Sequence, residues 1–371
     1  MNIFSETIEE EKAKCYSVVK HKINGKKISL NFIANLFDGY SPSQIMSVYN
    51  NSYRYTGVNQ KIGIICAHSY STCINDFKLF CSSFMKNYDD NILTIHTMPD
   101  ATFDIDWSIE QALNIQAVHA MAPNAKILLV QATDTTYYNL NEAIKYAIKD
   151  GCNIISIGWG FPDDGNNNPS NTIFNNPKII FLAASGDNEK PSWPSLCKNV
   201  ISVGGTKLKI IEEQIYEEGW YSEKPGVCGS GTSISEPINY IQKRFLPKFT
   251  NRTTPDVSMI ADPQNGFPVV NTLYDKTVPI KVGGTSLSTS LWAGIIALVN
   301  ECLNNNNKKD ISQNVLLMGL YLLTQSPNYS KFINNIQNAS DKNTSTAIYD
   351  NNTGLGTPNI NNLVEYLANF I

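Results

Sequence analysis

The chain has 371 residues, 42% hydrophobic and 17% charged, with a formal net charge of -4, the profile of an ordinary globular protein that is long for one domain and short for three. No dense Lys/Arg block accompanies this slightly acidic balance, which argues against nucleic acid or an anionic membrane as the main partner. The eight cysteines are scattered without a Cys-x-x-Cys pair, so there is no zinc or dithiol signature, and buried free thiols fit a reducing cytoplasm better than secretion.

In chain order, residues 1–39 are expected to form a separate N-terminal extension. Their start, Met1-Asn2-Ile3-Phe4-Ser5-Glu6, is acidic and lacks the apolar stretch of a signal peptide. An acidic-basic helix is expected over 6–20, followed by a second segment at 30–37. The main domain is expected over 40–371. Within it, short β-branched runs at 61–66, 92–97, 127–131, 154–157, 179–183 and 200–203 alternate with helical patterns at 74–85, 109–121 and 140–149. That alternation predicts an α/β, doubly wound, mostly parallel sheet with helices on both faces, whose sites lie at the carboxyl ends of the strands. No segment is expected to be apolar for long enough to cross a bilayer. Asparagine clusters at 166–168 and 304–307 read as polar loops.

The run Gly283-Gly284-Thr285-Ser286 followed by an apolar helical stretch over 291–299 is the most informative feature. Glycines let the backbone take positive φ and approach a substrate closely, and the helix behind holds the turn rigid. Ser286 is expected to stay accessible there, with its own N–H aimed at a developing oxyanion. A plain helix N-cap would use the same residues. A second Gly-Thr-Ser, ending at Ser233, has no such helix after it and is a poor nucleophile candidate.

A serine nucleophile needs a base. Four histidines exist, at 21, 68, 96 and 119. His68 and His96 fall at strand ends and could serve, whereas His119 lies on a core-facing helix beside Ala120-Met121-Ala122-Pro123. The alternative is a carboxylate. Glu110 shares a helix face with Asn114 one turn on, and a carboxylate in so apolar a helix wants a partner. In isolation Glu110 reads as a solvated helix residue, and Asp187 in Ala184-Ser185-Gly186-Asp187 as a loop cap.

Together these segments resemble the sedolisin family of serine-carboxyl peptidases, over roughly residues 40–371 and in consistent order. The family's Glu-x-x-x-Asp pair corresponds to Glu110 with Asn114, its Ser-Gly-Asp loop to Ser185-Gly186-Asp187, and its Gly-Thr-Ser-x-Ser nucleophile to Gly284-Thr285-Ser286-Leu287-Ser288. Supporting segments are Ser156-Ile157-Gly158-Trp159-Gly160, Val203-Gly204-Gly205-Thr206, Pro255-Asp256-Val257-Ser258 and Asp350-Asn351-Asn352-Thr353-Gly354. The resemblance implies a subtilisin-like fold in which Ser286 attacks a peptide carbonyl, Glu110 takes its proton, and protonated Asp187 donates to the oxyanion. Such a site favours acid, because an ionised carboxylate would repel the oxyanion.

Three departures qualify the expectation. Asn114 replaces the aspartate that hydrogen-bonds the catalytic glutamate. It can orient Glu110 but cannot share a proton with it, so Glu110 is expected to ionise more readily, with Asp106 one turn earlier as a possible compensation. Ser290 replaces a proline of the nucleophile turn. The resemblance also implies Ca2+ near the C-terminus, with ligands at Asn335, Ile336, Thr346, Ile348 and Asp350; Asn335 replaces one expected carboxylate, so binding should be weaker. The residues before Tyr40 are too few for the long prodomain such relatives carry, so the protein is expected either to fold unaided in the cytoplasm or to be a processed or truncated form. The leading function is that of a monomeric peptidase, cutting extended peptides or unfolded proteins internally or from the N-terminus. The alternatives are a peptide-binding pseudoenzyme and a Ser-His hydrolase using His68 or His96.

Overall fold

The computed structural model describes residues 12–16, 18–21, 39–85, 89–163, 171–221, 226–273, 276–336 and 348–370. Two short strands, β1 (Lys14–Cys15) and β2 (Val18–His21), come first. They are followed by β3 (Lys61–Ala67), β4 (Leu93–Thr97), β5 (Lys126–Ala132), β6 (Ile154–Ile157), β7 (Trp159–Pro162), β8 (Ile180–Ala184), β9 (Ser192–Trp193) and β10 (Ile201–Ile211). Then come β11 (Gln214–Gly219), β12 (Gly231–Pro237), β13 (Asn251–Thr254), β14 (Val257–Ile260), β15 (Phe267–Leu273) and β16 (Lys276–Gly283). The central sheet has eight strands in the order β11-β10-β8-β6-β3-β5-β4, with β14 added beside β10. All run parallel except β11, which returns along β10 as a hairpin.

Successive residues of β3, β5, β6 and β8 are buried, so both faces of this sheet are covered, as its unbroken Ile/Leu/Val runs require. The α/β doubly wound architecture expected from the sequence is therefore present. The expected strands appear within a residue or so of their anticipated bounds, except that β10 runs on to Ile211 because Thr206 to Ile211 pair with β11. The helix expected over 109–121 starts earlier, at Ile105–Met121, since the Asp104 carboxylate caps it by accepting from the Trp107 N–H at 3.0 Å.

Helices Ile105–Met121 and Thr285–Asn305 pack along each other and against the sheet. The second has 21 residues, and its most apolar 18-residue stretch has a mean hydropathy of 1.3, which corrects the expectation that no segment is long and apolar enough to span a bilayer; yet 94% of that stretch is buried, as befits a core helix. All eight cysteines are free, Cys15 half-buried and the others buried.

The N-terminal segment differs from expectation. Where a helix is expected over 6–20, the described residues form strands: β1 pairs antiparallel with β7, and β2 pairs antiparallel with β16; residues 6–11 lie outside the described residues. Propensity lost to tertiary pairing, because the strand edges of β7 and β16 offer this backbone hydrogen-bond partners that a solitary helix would not gain. Residues 30–37 lie outside the described residues.

Candidate active site

Ser286 sits in the first turn of helix Thr285–Asn305, whose N-cap is Gly284 at φ 108. That conformation suits glycine, and a side chain there would collide with the Tyr16 carbonyl oxygen and stand 2.8 Å from Asp187 Oδ2. β14 positions the turn from behind, since the Gly284 N–H donates to the carbonyl of Ala261, directly after the strand, at 2.6 Å.

Glu110 comes from the middle of helix Ile105–Met121 and is fully buried. Its Oε2 accepts from Ser286 Oγ at 3.2 Å, and its Oε1 accepts from Asn114 Nδ2 at 2.7 Å. Asn114 is held in turn by Ser290, whose hydroxyl donates to Asn114 Oδ1 at 2.8 Å. Asp106, considered above as a compensation, is exposed in the first helical turn and makes no hydrogen bond to Asn114. Room for the carboxylate depends on Gly158, where a Cβ would overlap Glu110 Oε1 and lie 2.8 Å from Ser286 Cβ.

Asp187 follows β8 and approaches the same turn. Its Oδ1 accepts from the N–H and hydroxyl of Thr285 at 2.9 and 2.8 Å. Its Oδ2 is buried without a hydrogen-bond partner. Burial raises the carboxyl to about 7, against the opposing effect of the two Thr285 bonds, so in acid Asp187 is neutral and carries a proton to donate.

Ser286 is not accessible as expected but fully buried, because Tyr16 lies over it. The Tyr16 carbonyl oxygen accepts from the Ser286 N–H at 3.3 Å and from Ser286 Oγ. The four residues nominated as catalytic are thus brought together. Sequence reading missed Tyr16 and the steric role of Gly158. Gly158 lay inside a quoted motif, while nothing in the pattern around Tyr16 marked it.

The Subtilase family profile matches residues 106–356, which includes all of these groups except Tyr16. The chain belongs to the subtilase family. Its relatives include a sedolisin and a tripeptidyl-peptidase. It is 25% identical over 322 residues to sedolisin of Pseudomonas sp. (strain 101), a match covering 77% of this chain and 54% of that protein. It is 28% identical over 296 residues to tripeptidyl-peptidase 1 of Dictyostelium discoideum, covering 70% and 47%. The chain therefore spans about half the length of these relatives. Among solved structures, Pseudomonas sedolisin complexed with two molecules of pseudo-iodotyrostatin superposes with a TM-score of 0.74 at 21% identity, covering 89% of this chain and 98% of that one. This likeness establishes the subtilisin-like fold.

Within this subtilase, the described histidine side chains, those of His68, His96 and His119, lie elsewhere. His96 stacks on Tyr146 with ring centroids 3.6 Å apart. His119 packs edge-on to Phe77 and is lowered by burial to about 4. His68 leans toward Trp107. The hydroxyl of Ser286 bonds to Glu110 and Tyr16, not to any histidine. Ser233 lies in β12, where its hydroxyl donates to Asp163 Oδ2 at 2.9 Å.

Of the ligands expected for Ca2+, the described ones are Asn335, Ile336, Ile348 and Asp350. Asp350 Oδ1 accepts from the N–H groups of Asn352 and Thr353 at 2.8 and 3.1 Å, and the Ile336 carbonyl accepts from Thr353 Oγ1 at 3.0 Å. Asn335 is neutral, Ile348 can offer only a carbonyl, and Thr346 lies outside the described residues. Calcium takes roughly six to eight oxygens, several of them charged. The described set supplies one carboxylate, which already closes a turn, and among the described residues there is no cluster of three or more His, Cys, Asp or Glu.

Proposed function

We propose that the chain is an endopeptidase that cleaves peptide bonds through an acyl-enzyme on Ser286. Glu110 acts as general base toward the hydroxyl and then as acid toward the leaving amine. Asp187, protonated, and the Ser286 N–H stabilise the oxyanion. The observation that carries this reading is the meeting of three groups at one turn: Ser286 Oγ 3.2 Å from Glu110 Oε2, the Ser286 N–H on the Tyr16 oxygen, and the buried, unbonded Oδ2 of Asp187 beside Gly284. A neutral Asp187 lends an oxyanion a hydrogen bond; an ionised one repels it.

Internal cleavage is favoured over removal of tripeptides by the length of the cleft upstream of that carbonyl. The fourth residue back, Ala13, donates its N–H to the Thr135 carbonyl at 2.9 Å, and Lys12 pairs with Thr136. A tripeptide-releasing site must instead be closed behind the third residue.

The test is cleavage of an unfolded protein from about pH 3 to 8, spanning carboxyl and histidine titration, by the native protein, Ser286→Ala and Glu110→Gln. Acid-favoured cleavage lost in both variants is the expected result, with rates falling by at least about a thousandfold. Absence of cleavage at every pH by folded protein would replace this reading with that of a pseudoenzyme that binds extended peptides.

A further inference from the structure

We propose that Cys228, which touches none of the reacting atoms, is a positioning residue for the oxyanion side of the site: its buried thiol clamps the Ser185-Gly186-Asp187 loop and so holds the Asp187 carboxyl in place. The catalytic consequence rests on the peptidase reading above; the clamping of Asp187 does not.

The loop needs a hold from outside. Gly186 sits at φ 113, a conformation that glycine adopts freely and so does not fix by itself. Residues 227–230 run alongside. The Val227 N–H donates to the Asp187 carbonyl at 3.4 Å, the Gly229 N–H to the Gly186 carbonyl at 2.6 Å, and the Ser230 N–H to the Glu189 carbonyl at 3.0 Å. The approach is so close at Gly229 that a Cβ there would stand 2.5 Å from the Ser185 carbonyl oxygen and 3.0 Å from Gly186 Cα.

Cys228 lies in the middle of this row and is 2% exposed. Its Sγ accepts from the Gly205 N–H of β10 at 3.2 Å and stands 3.6 Å from Ser185 Oγ. It also reaches the carbonyls of Asn352 and Gly229, at 3.4 and 3.5 Å. A buried cysteine that only fills an apolar gap behaves as a small hydrophobe; this one has four polar neighbours. A single side chain thus joins β10, the loop carrying Asp187, and the turn at 350–354. Ser230 reinforces the last tie, its hydroxyl donating to Asn352 Oδ1 at 2.8 Å. Trp220 and Ala261 pack with Cys228 in a small apolar cluster. That cluster adjoins the nucleophile turn: a Cβ on Gly205 would lie 2.5 Å from Ala261 Cβ and 3.5 Å from Thr285 Cγ2, and the Ala261 carbonyl holds the Gly284 N–H.

Thr285 fixes only Oδ1 of Asp187. Where Oδ2 points, and whether water reaches it, depends on the loop behind. Loosening that loop moves Oδ2 off the developing oxyanion, which costs stabilisation made in the transition state and leaves substrate binding unchanged. It also hydrates the carboxyl, so that burial no longer raises it and its titration falls toward the ordinary carboxylate range. Burial and the two Thr285 bonds are what act on Asp187. The titratable neighbours are the Cys228 thiol, which burial raises to about 11 and so keeps protonated, Asp350 acting on that thiol, and Glu110 beyond Ser286.

Cys228→Ala removes the sulfur, whereas Cys228→Ser keeps a small donor and acceptor. The test compares both with the native chain on a quenched fluorescent peptide that the native chain cleaves, over about pH 3 to 8. In Cys228→Ala, kcat is expected to fall about tenfold or more with KM within about twofold, and the alkaline limb to move to lower pH; Cys228→Ser should recover most of the loss. An unchanged kcat in Cys228→Ala, or an equal loss in both variants, would overturn the proposal and leave the peptidase reading in place. If the native chain cleaves nothing, the peptidase reading fails and the clamp is decided by titration. The extra stability that the chain loses between about pH 5 and 8 relative to its own Asp187→Asn variant should shrink by about half or more when Cys228→Ala is also present. The same excess with and without Cys228→Ala would overturn the clamp as well. Should Cys228→Ala fail to fold, Ser230→Ala, which cuts the neighbouring tie to Asn352, is read in the same two ways, with a loss of about threefold in kcat expected and no change in either reading overturning the proposal.

Discussion

Asn114 and Ser290 were recognised in the sequence as two separate departures, and the structure makes them one. With its oxygen fixed by the Ser290 hydroxyl, the Asn114 amide can offer Glu110 only its NH2, at 2.7 Å. A donor facing a carboxylate favours the ionised form, which is the form a general base needs. An aspartate at 114 would present an acceptor or a second charge instead. Asn114→Asp is therefore expected to move the acid limb of the kcat/KM profile to higher pH; an unchanged profile would count against the argument. Ser290→Ala removes the hydroxyl that orients Asn114, and kcat should fall about tenfold with little change in KM, the loss of roughly one good hydrogen bond's worth of positioning.

At the scale of elements, the segment between β13 and β14 anchors the nucleophile turn. Arg252 grips Asp256 with two parallel bonds, Nη1 to Oδ1 at 2.8 Å and Nη2 to Oδ2 at 2.6 Å, and both residues are completely buried. The Tyr321 hydroxyl and the Ser202 N–H also donate to this carboxylate, at 2.7 and 2.8 Å. One side chain thus ties β13, β10, β14 and helix Gln313–Leu322 together. Asp256→Asn would leave the guanidinium buried without its counter-charge, a loss of about 3–5 kcal/mol. Urea unfolding monitored by the buried tryptophans checks this, with the midpoint expected to fall and the slope to stay constant.

For the whole molecule, the buried carboxyls couple stability to pH. Asp187 is raised by burial to about 7, and Glu217 is raised too, by burial against bonds from Thr206, Tyr49 and Thr357. A carboxyl whose folded value lies above its unfolded value binds more protons in the native state. Its contribution is complete below about pH 4 and is lost as pH rises through the folded value. For Asp187 the loss between about pH 5 and 8 is on the order of 3 kcal/mol. Thermal unfolding at those two pH values isolates this contribution: relative to Asp187→Asn, the native protein should lose more stability as pH rises, and equal changes in the two would count against it. The contributions of these two carboxyls are therefore largest in the pH range where the proposed chemistry runs, while His119, held neutral by burial, contributes in the opposite direction.

Local chemistry sufficed for part of this picture. Unbroken β-branched runs, such as those of β3 and β6, identify doubly covered parallel strands because no other element needs two apolar faces over so few residues. Gly284 before Ser286, and Glu110 on an otherwise apolar helix, were legible because several spaced motifs in one order agree, although each alone has a plain structural reading. Their meeting was not, since 176 residues separate Ser286 from Glu110 and only the packing of two helices brings them within reach. Gly158 needed that packing too, because its role is the volume it leaves empty. Residues 12–16 were read as a helix for the same reason: periodicity reports a segment's own preference, and here the decisive partners were the free edges of β7 and β16. The sequence by itself determined the architecture, the nucleophile turn and the identity of the acidic groups. Which hydrogen bond orients Asn114, how far burial lifts Asp187, and what lies in the cleft were decided by tertiary structure, because each depends on atoms distant in the chain and close in space.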